Sequence, residues 1–257
     1  MKIINKINRI KIKNLITNTY PPIIHLNGHL TRGFNKKLYN FLLNNFQSID
    51  LKIPNNCCIF SMCTDNLIKK CVLSKYLEMN KNIILKEISK SYYLKNYKNV
   101  SKIIELNYFL KNCDYDKIIM VDALDVFFLN DIQQVFHNLK NNKIFFGAEK
   151  FFPYKLDNKE EVKKYHDKFN THCKENNPFR YLCAGVFGGY KDNLLEMTEK
   201  TLQYFYSEVK YMNNKSKKSE QNNYIRTLFK ENITIDLDYN NKFVLNNNGV
   251  TENELLF

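Results

Sequence analysis

The hydrophobic positions of the chain form short apolar runs that alternate with segments of helical periodicity. Short apolar runs bounded by polar residues are typical of buried strands in a parallel sheet. Such runs cover residues 57–64, 82–87, 117–122, 143–149 and 184–190, and residues 233–238 close the series. Apolar residues spaced three and four apart predict helices between them. These helices cover residues 34–46, 65–79, 98–111, 130–140 and 192–210.

Finer features of the pattern refine these elements. The helix over 98–111 is expected to bury Val100, Ile103, Ile104 and Phe109 or Leu110. Asn130 or Asp131 is the expected N-cap of the helix over 130–140. The Asn- and Lys-rich residues 213–223 are expected to be a flexible loop, and residues 1–13 an edge strand. Strands alternating with helices predict an α/β fold with a mostly parallel central sheet.

The net charge changes this picture less than its size suggests. A charge of +13 over 257 residues points at first sight to a nucleic-acid partner. Only 4 of the 39 basic residues are arginine, however, and nucleic-acid readers normally use Arg for bidentate contacts. The 35 lysines and 38 asparagines are instead typical of an AT-rich genome, viral or cellular. We therefore expect no dedicated nucleic-acid function.

Membrane and disulfide-stabilised proteins are also disfavoured. No apolar run approaches the roughly 18–20 residues that a membrane span needs. The first 20 residues alternate lysine with isoleucine instead of forming the apolar core of a signal peptide. The seven scattered cysteines, several of them inside apolar runs, are expected to be reduced and buried. The sequence thus predicts a cytoplasmic protein.

Two acids follow the strand predicted over 117–122. Asp122 and Asp125 stand three residues apart where this apolar strand ends, and ligands of open α/β sheets bind outside the carboxyl ends of the strands. Two carboxylates in one turn repel each other unless a positive charge lies between them, which a hard divalent cation would supply. The alternative is that Asp125 caps a turn and Asp122 is a solvated strand end. Because the chain has no glycine-rich phosphate loop, a nucleotide bound here would need a metal at its phosphates.

Five segments, in order along the chain, resemble one glycosyltransferase family. They are DKIIMVDALDVFF, KIFFGAEKFFPY, YLCAGVFGGYKDNL, SEQNNY and ITIDLDYNNKFVLNNNG. Over roughly residues 57–257 the chain thereby resembles the glycosyltransferase domain of the procollagen lysyl hydroxylase/glycosyltransferase and collagen galactosyltransferase families. The resemblance implies a single Rossmann-like domain of the GT-A type, with Mn²⁺ held by Asp122 and Asp125 against the diphosphate of a UDP-sugar. It also implies that Ala148–Glu149 and Gly185–Gly189 lie along the donor and acceptor cleft.

The family's remaining metal ligand is a histidine in an HxNG motif near the end of the domain. This chain has NNNG near its end, at residues 246–249, without a histidine. The missing motif resembles a segment near the other terminus, with His25, Asn27 and Gly28 at the motif positions. The resemblance therefore implies that His25 is the third metal ligand. The alternative is a core histidine whose hydrogen bonds are satisfied by its neighbours.

Writing Phe257 directly before Met1 restores the family's order of segments. The resemblance thus implies a circular permutant in which residues 1–50 carry the HxNG motif and residues 51–257 carry the nucleotide-sugar-binding core. Permutation is tolerated where chain ends lie close together at the surface. The alternative is that residues 1–50 are a tail from a lost upstream copy. His25 would then complete the site of a neighbouring subunit in a homo-oligomer.

Further positions match family residues that contact the donor nucleotide. Thr64 matches one of them, and its alternative role is an N-cap for the next helix. Leu124 stands where the family has a tyrosine that stacks on uracil. Leucine covers a base but cannot stack aromatically, so Tyr92, Tyr93 or Tyr97 are candidates to replace that ring.

Charged positions also match the family. Lys102 aligns with a lysine near the diphosphate, and Arg32 stands near another with the same affinity for anions. Ser219, Glu220 and Gln221 replace an acidic pair followed by Gln. Glu220 keeps an acid that would orient the acceptor or balance charge, whereas Ser219 does not. The alternative role of Glu220 is to face the positive end of a helix dipole.

Together these implied roles describe an enzyme. The resemblance predicts transfer of a hexose from a UDP-sugar to a hydroxyl of a protein or glycan, including hydroxylysine-linked or collagen-like acceptors. Asp122, Asp125 and Glu220 are the expected catalytic residues, and the family's retaining and inverting members leave the stereochemistry open. One alternative is an inactive nucleotide-sugar-binding domain, which the loss of the acid at Ser219 would allow. Another is a basic nucleic-acid or virion interaction protein that needs no metal.

Overall fold

The computed structural model describes residues 10–26, 33–46, 48–151, 167–168, 177–210 and 219–256. The strands are β1 (Lys13–Asn14), β2 (Ile23–His25), β3 (Cys57–Thr64), β4 (Ile83–Ile88), β5 (Lys117–Val121), β6 (Val126–Phe128), β7 (Ile144–Glu149), β8 (Tyr181–Tyr190), β9 (Ile235–Asp238), β10 (Val244–Asn246) and β11 (Leu255–Leu256). The α-helices are α1 (Gly33–Asn44), α2 (Lys90–Lys95), α3 (Val100–Asn112), α4 (Gln133–Asn138), α5 (Lys191–Glu208) and α6 (Glu220–Lys230). Short 3₁₀ helices cover Asp65–Lys70, Leu73–Tyr76 and Glu252–Glu254.

The central sheet has six strands in the order β4-β3-β5-β8-β7-β9. Strand β3 is parallel to β4 and β5, and β7 is parallel to β9. Strand β8 runs antiparallel to both of its neighbours, so the five other strands all point the same way. The predicted α/β class and mostly parallel sheet are confirmed. Because these five strands are parallel, their carboxyl ends lie along one edge of the sheet.

Alternating side chains of the central strands separate the core into two layers. Ile59 and Ile119 belong to one apolar cluster, whereas Phe60 and Ile118 belong to the other, as the period of two along a strand requires. The second cluster also takes in the inner faces of α3, α5 and α6. The first cluster includes β2, β6, β10 and α1. Each fully buried aliphatic or aromatic side chain contributes about 1.5–3 kcal/mol relative to exposure, so both layers stabilise the sheet.

A small sheet with the order β10-β2-β6 lies on this first layer. Its central strand β2 is parallel to β10 and antiparallel to β6. In a separate two-stranded sheet, β1 pairs antiparallel with β11, with Lys13 opposite Leu256. The N-terminal residues 10–26 therefore complete structure that is otherwise built from residues much later in the chain.

Some predicted helices are wrong in extent or kind. The helix expected over 65–79 is two short 3₁₀ helices, because the backbone turns after Lys70 and the Leu73 amide donates to the Ala123 carbonyl at 3.1 Å. The helix expected over 130–140 begins only at Gln133. The predicted cap, Asn130 or Asp131, is wrong because the N-cap position is occupied by Ile132.

The predicted loop over 213–223 is also wrong in part. Residues 211–218 lie outside the described residues, as do residues 1–9 of the predicted edge strand. Ser219, however, caps α6 by accepting from the Asn222 amide at 3.2 Å, so residues 220–223 form the first helical turn. In α3, Leu106 is buried and Ile104 only half-buried, which shifts the buried face from the predicted one. None of the helices among the described residues is both long and apolar enough to cross a membrane.

Candidate active site

Polar side chains collect at the edge of the central sheet where the parallel strands end. Thr64 ends β3, Asp122 follows β5, and Glu149 ends β7. Gly185, in the antiparallel strand β8, lies between these ends, and its carbonyl accepts from the Asp122 amide at 2.9 Å. The predicted acidic site therefore lies where open α/β sheets bind their ligands.

Strand β2 brings His25 to the same edge. Because β2 pairs with β6, which directly follows Asp125, the Leu26 amide donates to the Asp125 carbonyl at 3.0 Å. The Nε2 atom of His25 lies 3.4 Å from Asp122 Oδ2 and 3.7 Å from Asp125 Oδ1. Ligand atoms of the three side chains all lie within 4.8 Å of one another. His25 thus meets the acids of its own chain, without a neighbouring subunit.

The surroundings of His25 suit a metal ligand. Its Nδ1 atom lies 2.8 Å from Asn246 Oδ1, whereas the buried Nε2 has no hydrogen-bond partner among the described residues. Burial opposes a charge on His25, but the nearby Cys183 sulfur and the two carboxylates raise its pKa well above the ordinary value. The field that attracts a proton to Nε2 also attracts a metal cation. One imidazole and two carboxylates form a ligand set for a divalent metal, so the group could hold one.

The alternative role of Asp122, a solvated strand end, is wrong, because Asp122 is only partly exposed and is paired with Lys102. Asp125 is buried, with 3% of its surface exposed. Burial raises the pKa of the Asp122 carboxyl, yet Lys102 and His25 together hold it well below its ordinary value. Both acids are therefore positioned by the fold instead of by solvent.

Lys102 and Glu220 form a charged group beside Asp122. The Nζ atom of Lys102 donates to Asp122 Oδ1 and, at 3.1 Å, to Glu220 Oε1. Lys102 comes from α3 and Glu220 from the start of α6, so this pair joins two helices to the end of β5. Burial raises the pKa of Glu220 to about 7 although Lys102 opposes the shift. Its Oε2 atom is buried and has no hydrogen-bond partner in the described part of the chain.

Glu149 is fixed by two side chains whose roles the sequence did not reveal. Gln221 Nε2 donates to Glu149 Oε1 at 3.0 Å, and Asn248 Nδ2 donates to Oε2 at 2.8 Å. Gln221 is itself held because its Oε1 accepts from the Ala184 amide at 3.1 Å. The sequence signals that could have indicated these roles are the position of Gln221 directly after Glu220 and the position of Asn248 in the NNNG segment.

Two adjoining cavities open on this group and share Asn99, Lys102 and Asp122. The first has a volume of about 260 Å³ and is mainly apolar, lined further by Met62, Cys63, Thr64, Leu67, Tyr93, Ala123, Leu124 and Asp125. The second has a volume of about 320 Å³ and is mainly polar, lined further by His25, Glu149, Cys183, Ala184, Gly185, Ser219, Glu220, Gln221 and Asn248. Lys102 and Asp122 therefore lie at the boundary between the apolar and the polar cavity.

The structure places Thr64, Lys102 and Leu124, three of the residues predicted to bind the donor nucleotide, at the first cavity. Thr64 and Leu124 both line it, and Thr64 makes no capping hydrogen bond although it precedes a 3₁₀ helix. Of the three candidate tyrosines, Tyr93 lines the cavity, and its hydroxyl donates to Asn99 Oδ1 at 2.6 Å. Tyr97 instead packs against a ring of α5.

The predicted glycine segment reaches the site at one position only. A Cβ atom on Gly185 would lie within 2.5 Å of both ring nitrogens of His25, so the ring requires a glycine beneath it. Gly188 instead packs against β5, where a Cβ atom would meet the Ile118 carbonyl at 2.7 Å. The predicted residues Asn27, Gly28 and Arg32 lie outside the described residues.

Comparison with known proteins adds no relative to this picture. No protein-family model matches the chain, and no curated protein matches it. Support for a function therefore comes from the geometry of the site, together with the resemblance of the motif segments.

Proposed function

We propose that this chain is a metal-dependent glycosyltransferase of the GT-A type, which moves a hexose from a UDP-sugar to a hydroxyl acceptor. The group formed by His25, Asp122 and Asp125 is the observation that carries this proposal, since an imidazole from β2 and two carboxylates from the turn between β5 and β6 converge there. A cavity on each side of Asp122 adds the space that a nucleotide and a sugar would need. The acceptor class, hydroxylysine-linked or collagen-like, is implied by the motif resemblance.

His25, Asp122 and Asp125 would hold the metal, for which we propose Mn²⁺ because it accepts both imidazole and carboxylate ligands. When bound, the metal supplies positive charge that offsets the charge developing on the UDP leaving group. Lys102 adds a fixed cation at the boundary of the two cavities, since it lines both. It would bind the diphosphate there as a point charge.

The apolar cavity fits the nucleoside. Leu124 covers one part of its wall, and Tyr93 supplies the aromatic ring that Leu124 lacks. Because Asn99 accepts the hydrogen bond of the Tyr93 hydroxyl, the ring is held in place before a ligand enters. Thr64 contributes a hydroxyl to the same wall.

The polar cavity fits the hexose and the acceptor hydroxyl. Glu220 lines it, and its carboxylate would accept a hydrogen bond from the attacking hydroxyl. A pKa of about 7 suits a group that takes a proton near neutral pH. Glu149 is held by two donors and would present a fixed polar surface to sugar hydroxyls.

The order of segments supports the further proposal of a circular permutation. Strand β2, which carries His25, lies beside β10, which comes from the last part of the chain. The pairing of Lys13 with Leu256 brings the two ends of the described chain together. Nearby ends are what a permutation requires.

Release of UDP from a panel of UDP-sugars, with Mn²⁺ or with EDTA, tests the proposed activity. We expect release with a subset of donors, only with Mn²⁺, and increased by a hydroxylysine-containing collagen peptide. Glu220→Gln should lower the rate by about 10²–10⁴-fold, since it removes a general base. Glu199→Gln, which changes an exposed glutamate on α5, is the matched control. No release from any donor would overturn the proposal.

One alternative has an observation in its favour. Ser219 acts as the N-cap of α6, so the position where the family has an acid serves the helix here. An inactive nucleotide-sugar-binding domain would bind UDP with Mn²⁺ but release none from any sugar. The same assay, read together with UDP binding, separates the two functions.

A further inference from the structure

Asn246 and Cys183 are the described side chains that form polar contacts with the Nδ1 atom of His25. Asn246 ends β10, is fully buried, and lies opposite His25 in the parallel register of β10 and β2. Its Oδ1 atom is 2.8 Å from His25 Nδ1. We propose that Asn246 is a positioning residue, which fixes the tautomer of His25 so that the lone pair of Nε2 faces Asp122 and Asp125. The inference rests on the proposed function for the use of this nitrogen as a metal ligand.

The orientation of the Asn246 amide follows from its other contact. Its Nδ2 atom donates to the Ala148 carbonyl at 3.1 Å. A carbonyl only accepts hydrogen bonds, so the NH₂ group must face Ala148 and the amide oxygen must face His25. The amide oxygen also only accepts, and Nδ1 of His25 must therefore carry the proton. A histidine that binds a metal is neutral and has a single N–H, so a proton on Nδ1 leaves the lone pair of Nε2 for the metal.

Two glycines make room for this pair of side chains. A Cβ atom on Gly147 in β7 would lie 2.5 Å from Asn246 Nδ2. A Cβ atom on Gly185 in β8 would lie within 2.5 Å of both nitrogens of His25. The neighbouring strands thus leave space for both side chains and little space for another arrangement. A backbone hydrogen bond also holds the two residues together, because the Asn247 amide donates to the His25 carbonyl at 2.9 Å.

The nearby thiol fits the assignment, because its sulfur can accept weakly from a protonated Nδ1. The Cys183 sulfur lies 3.5 Å from Nδ1, the nitrogen that also faces Asn246. Both neighbours therefore contact the same side of the ring, and Nε2 is the nitrogen that faces the carboxylates. Partners of this kind on the second nitrogen of a ligating histidine typically change metal affinity 10–100-fold when they are removed.

The tautomer can be read directly by NMR. Long-range ¹H–¹⁵N spectra of the ¹⁵N-labelled full chain are recorded at alkaline pH without metal and again with saturating Mg²⁺, which is diamagnetic. A His25→Gln spectrum assigns the ring signals. We expect Nδ1 to be protonated in both conditions, because it faces the Asn246 oxygen, and Nε2 to be unprotonated when Mg²⁺ is bound. An unprotonated Nδ1 in the wild-type chain would overturn the proposal, whether or not a metal binds.

Variants test whether Asn246 is the cause. Asn246→Leu removes the acceptor and should weaken Mn²⁺ binding about 10–100-fold, measured by the EPR signal of free Mn²⁺, and populate both tautomers. Asn246→Asp keeps an oxygen towards Nδ1 and should retain the tautomer and most of the affinity. Asn107→Leu is the matched control, since Asn107 is also buried but bonds Thr198 between α3 and α5.

Equal loss of Mn²⁺ affinity in Asn246→Leu and Asn107→Leu, or wild-type affinity and tautomer in Asn246→Leu, would contradict the proposal. Should Asn246→Leu fail to fold, the wild-type spectra and the Asn246→Asp variant still test whether Asn246 fixes the tautomer of His25. None of these measurements uses a sugar nucleotide. A correct tautomer without any UDP release would therefore overturn the proposed function and leave this inference standing.

Discussion

At the scale of single residues, the candidate centre depends on a glycine as well as on His25 and the two acids. The imidazole of His25 lies against β8 at Gly185, where a side chain on any larger residue would collide with the ring. The two acids could be predicted from the local sequence, because they follow an apolar strand directly. His25 could not be predicted that way, since its position beside them depends on the pairing of β2 with β6. Only the resemblance of its motif pointed to it.

Replacing Gly185 by alanine should displace the His25 ring. We expect Mn²⁺ affinity to fall at least about 10-fold, and overpacking to lower the free energy of unfolding by about 1–3 kcal/mol. Free Mn²⁺ measured by EPR and urea unfolding report the two effects. Gly189→Ala is the matched control in the same strand, since its Cβ atom would meet only ordinary contacts, the closest at 3.6 Å. Equal Mn²⁺ affinity in both variants would show that the ring does not need this space.

At the scale of elements, the segments that the sequence predicted best are the central strands. Strand β3 was predicted with its observed bounds and β5 to within one residue, because buried strands carry a continuous apolar signal. Strands β6 and β10 were missed since each is only three residues long. The single helix expected over 65–79 does not form because of a tertiary contact, the hydrogen bond from the Leu73 amide to the Ala123 carbonyl. Short elements near the site are thus defined by their partners.

The turn before β10 is one such element, and Asp238 organises it. The Asp238 carboxylate accepts from the amides of Lys242, Phe243 and Val244, each at 2.8 Å. This turn leads into β10, which carries Asn246. The position of the strand that supports His25 therefore depends on one buried acid at the end of β9.

Replacing Asp238 by asparagine should destabilise the protein. One carboxylate oxygen becomes an NH₂ group that faces backbone N–H donors, so we expect a loss of about 1–3 kcal/mol in the free energy of unfolding. Asp236→Asn is the matched control because Asp236 forms a surface pair with Lys140, and surface substitutions usually change stability by less than about 0.5 kcal/mol. Urea unfolding measures both. Similar stability of the two variants would contradict a role for these three hydrogen bonds.

At the scale of the whole molecule, the N-terminal segment belongs structurally with the C-terminal one. Residues 10–26 supply strand β1, which pairs with β11, and strand β2, which pairs with β10. They also place His25 beside acids from the middle of the chain. The sequence alone predicted the α/β class from its alternating pattern. It could not predict which strand is antiparallel, since all the central strands share the same apolar character. That one antiparallel strand brings Gly185 to the edge where the parallel strands end.

A rearranged chain tests the permutation. Phe257 is joined to Met1 through a short Gly/Ser linker, and the chain is opened at Gln47. The opening lies before Leu51. The backbone of Leu51 is held in place because its amide donates to Asn80 Oδ1 and its carbonyl accepts from the Ile132 amide. We expect this chain to fold and to bind Mn²⁺ as the original does, because the described residues that approach the two ends, Lys13 and Leu256, are paired in β1 and β11. A chain with the same linker but opened inside β5 should not fold. Failure of the first chain to fold would contradict the permutation.

The binding of UDP tests the central claim, a metal centre of His25, Asp122 and Asp125 that holds a nucleoside diphosphate. Isothermal titration calorimetry with UDP, in Mn²⁺ or in EDTA, is carried out on the original chain, His25→Ala and Asp125→Ala, with Asp236→Asn as the control. We predict binding by the original chain and the control only in the presence of Mn²⁺, and none by either ligand variant. Thermal unfolding confirms that each variant is folded. Metal-independent binding, or retained Mn²⁺-dependent binding in both ligand variants, would contradict the account.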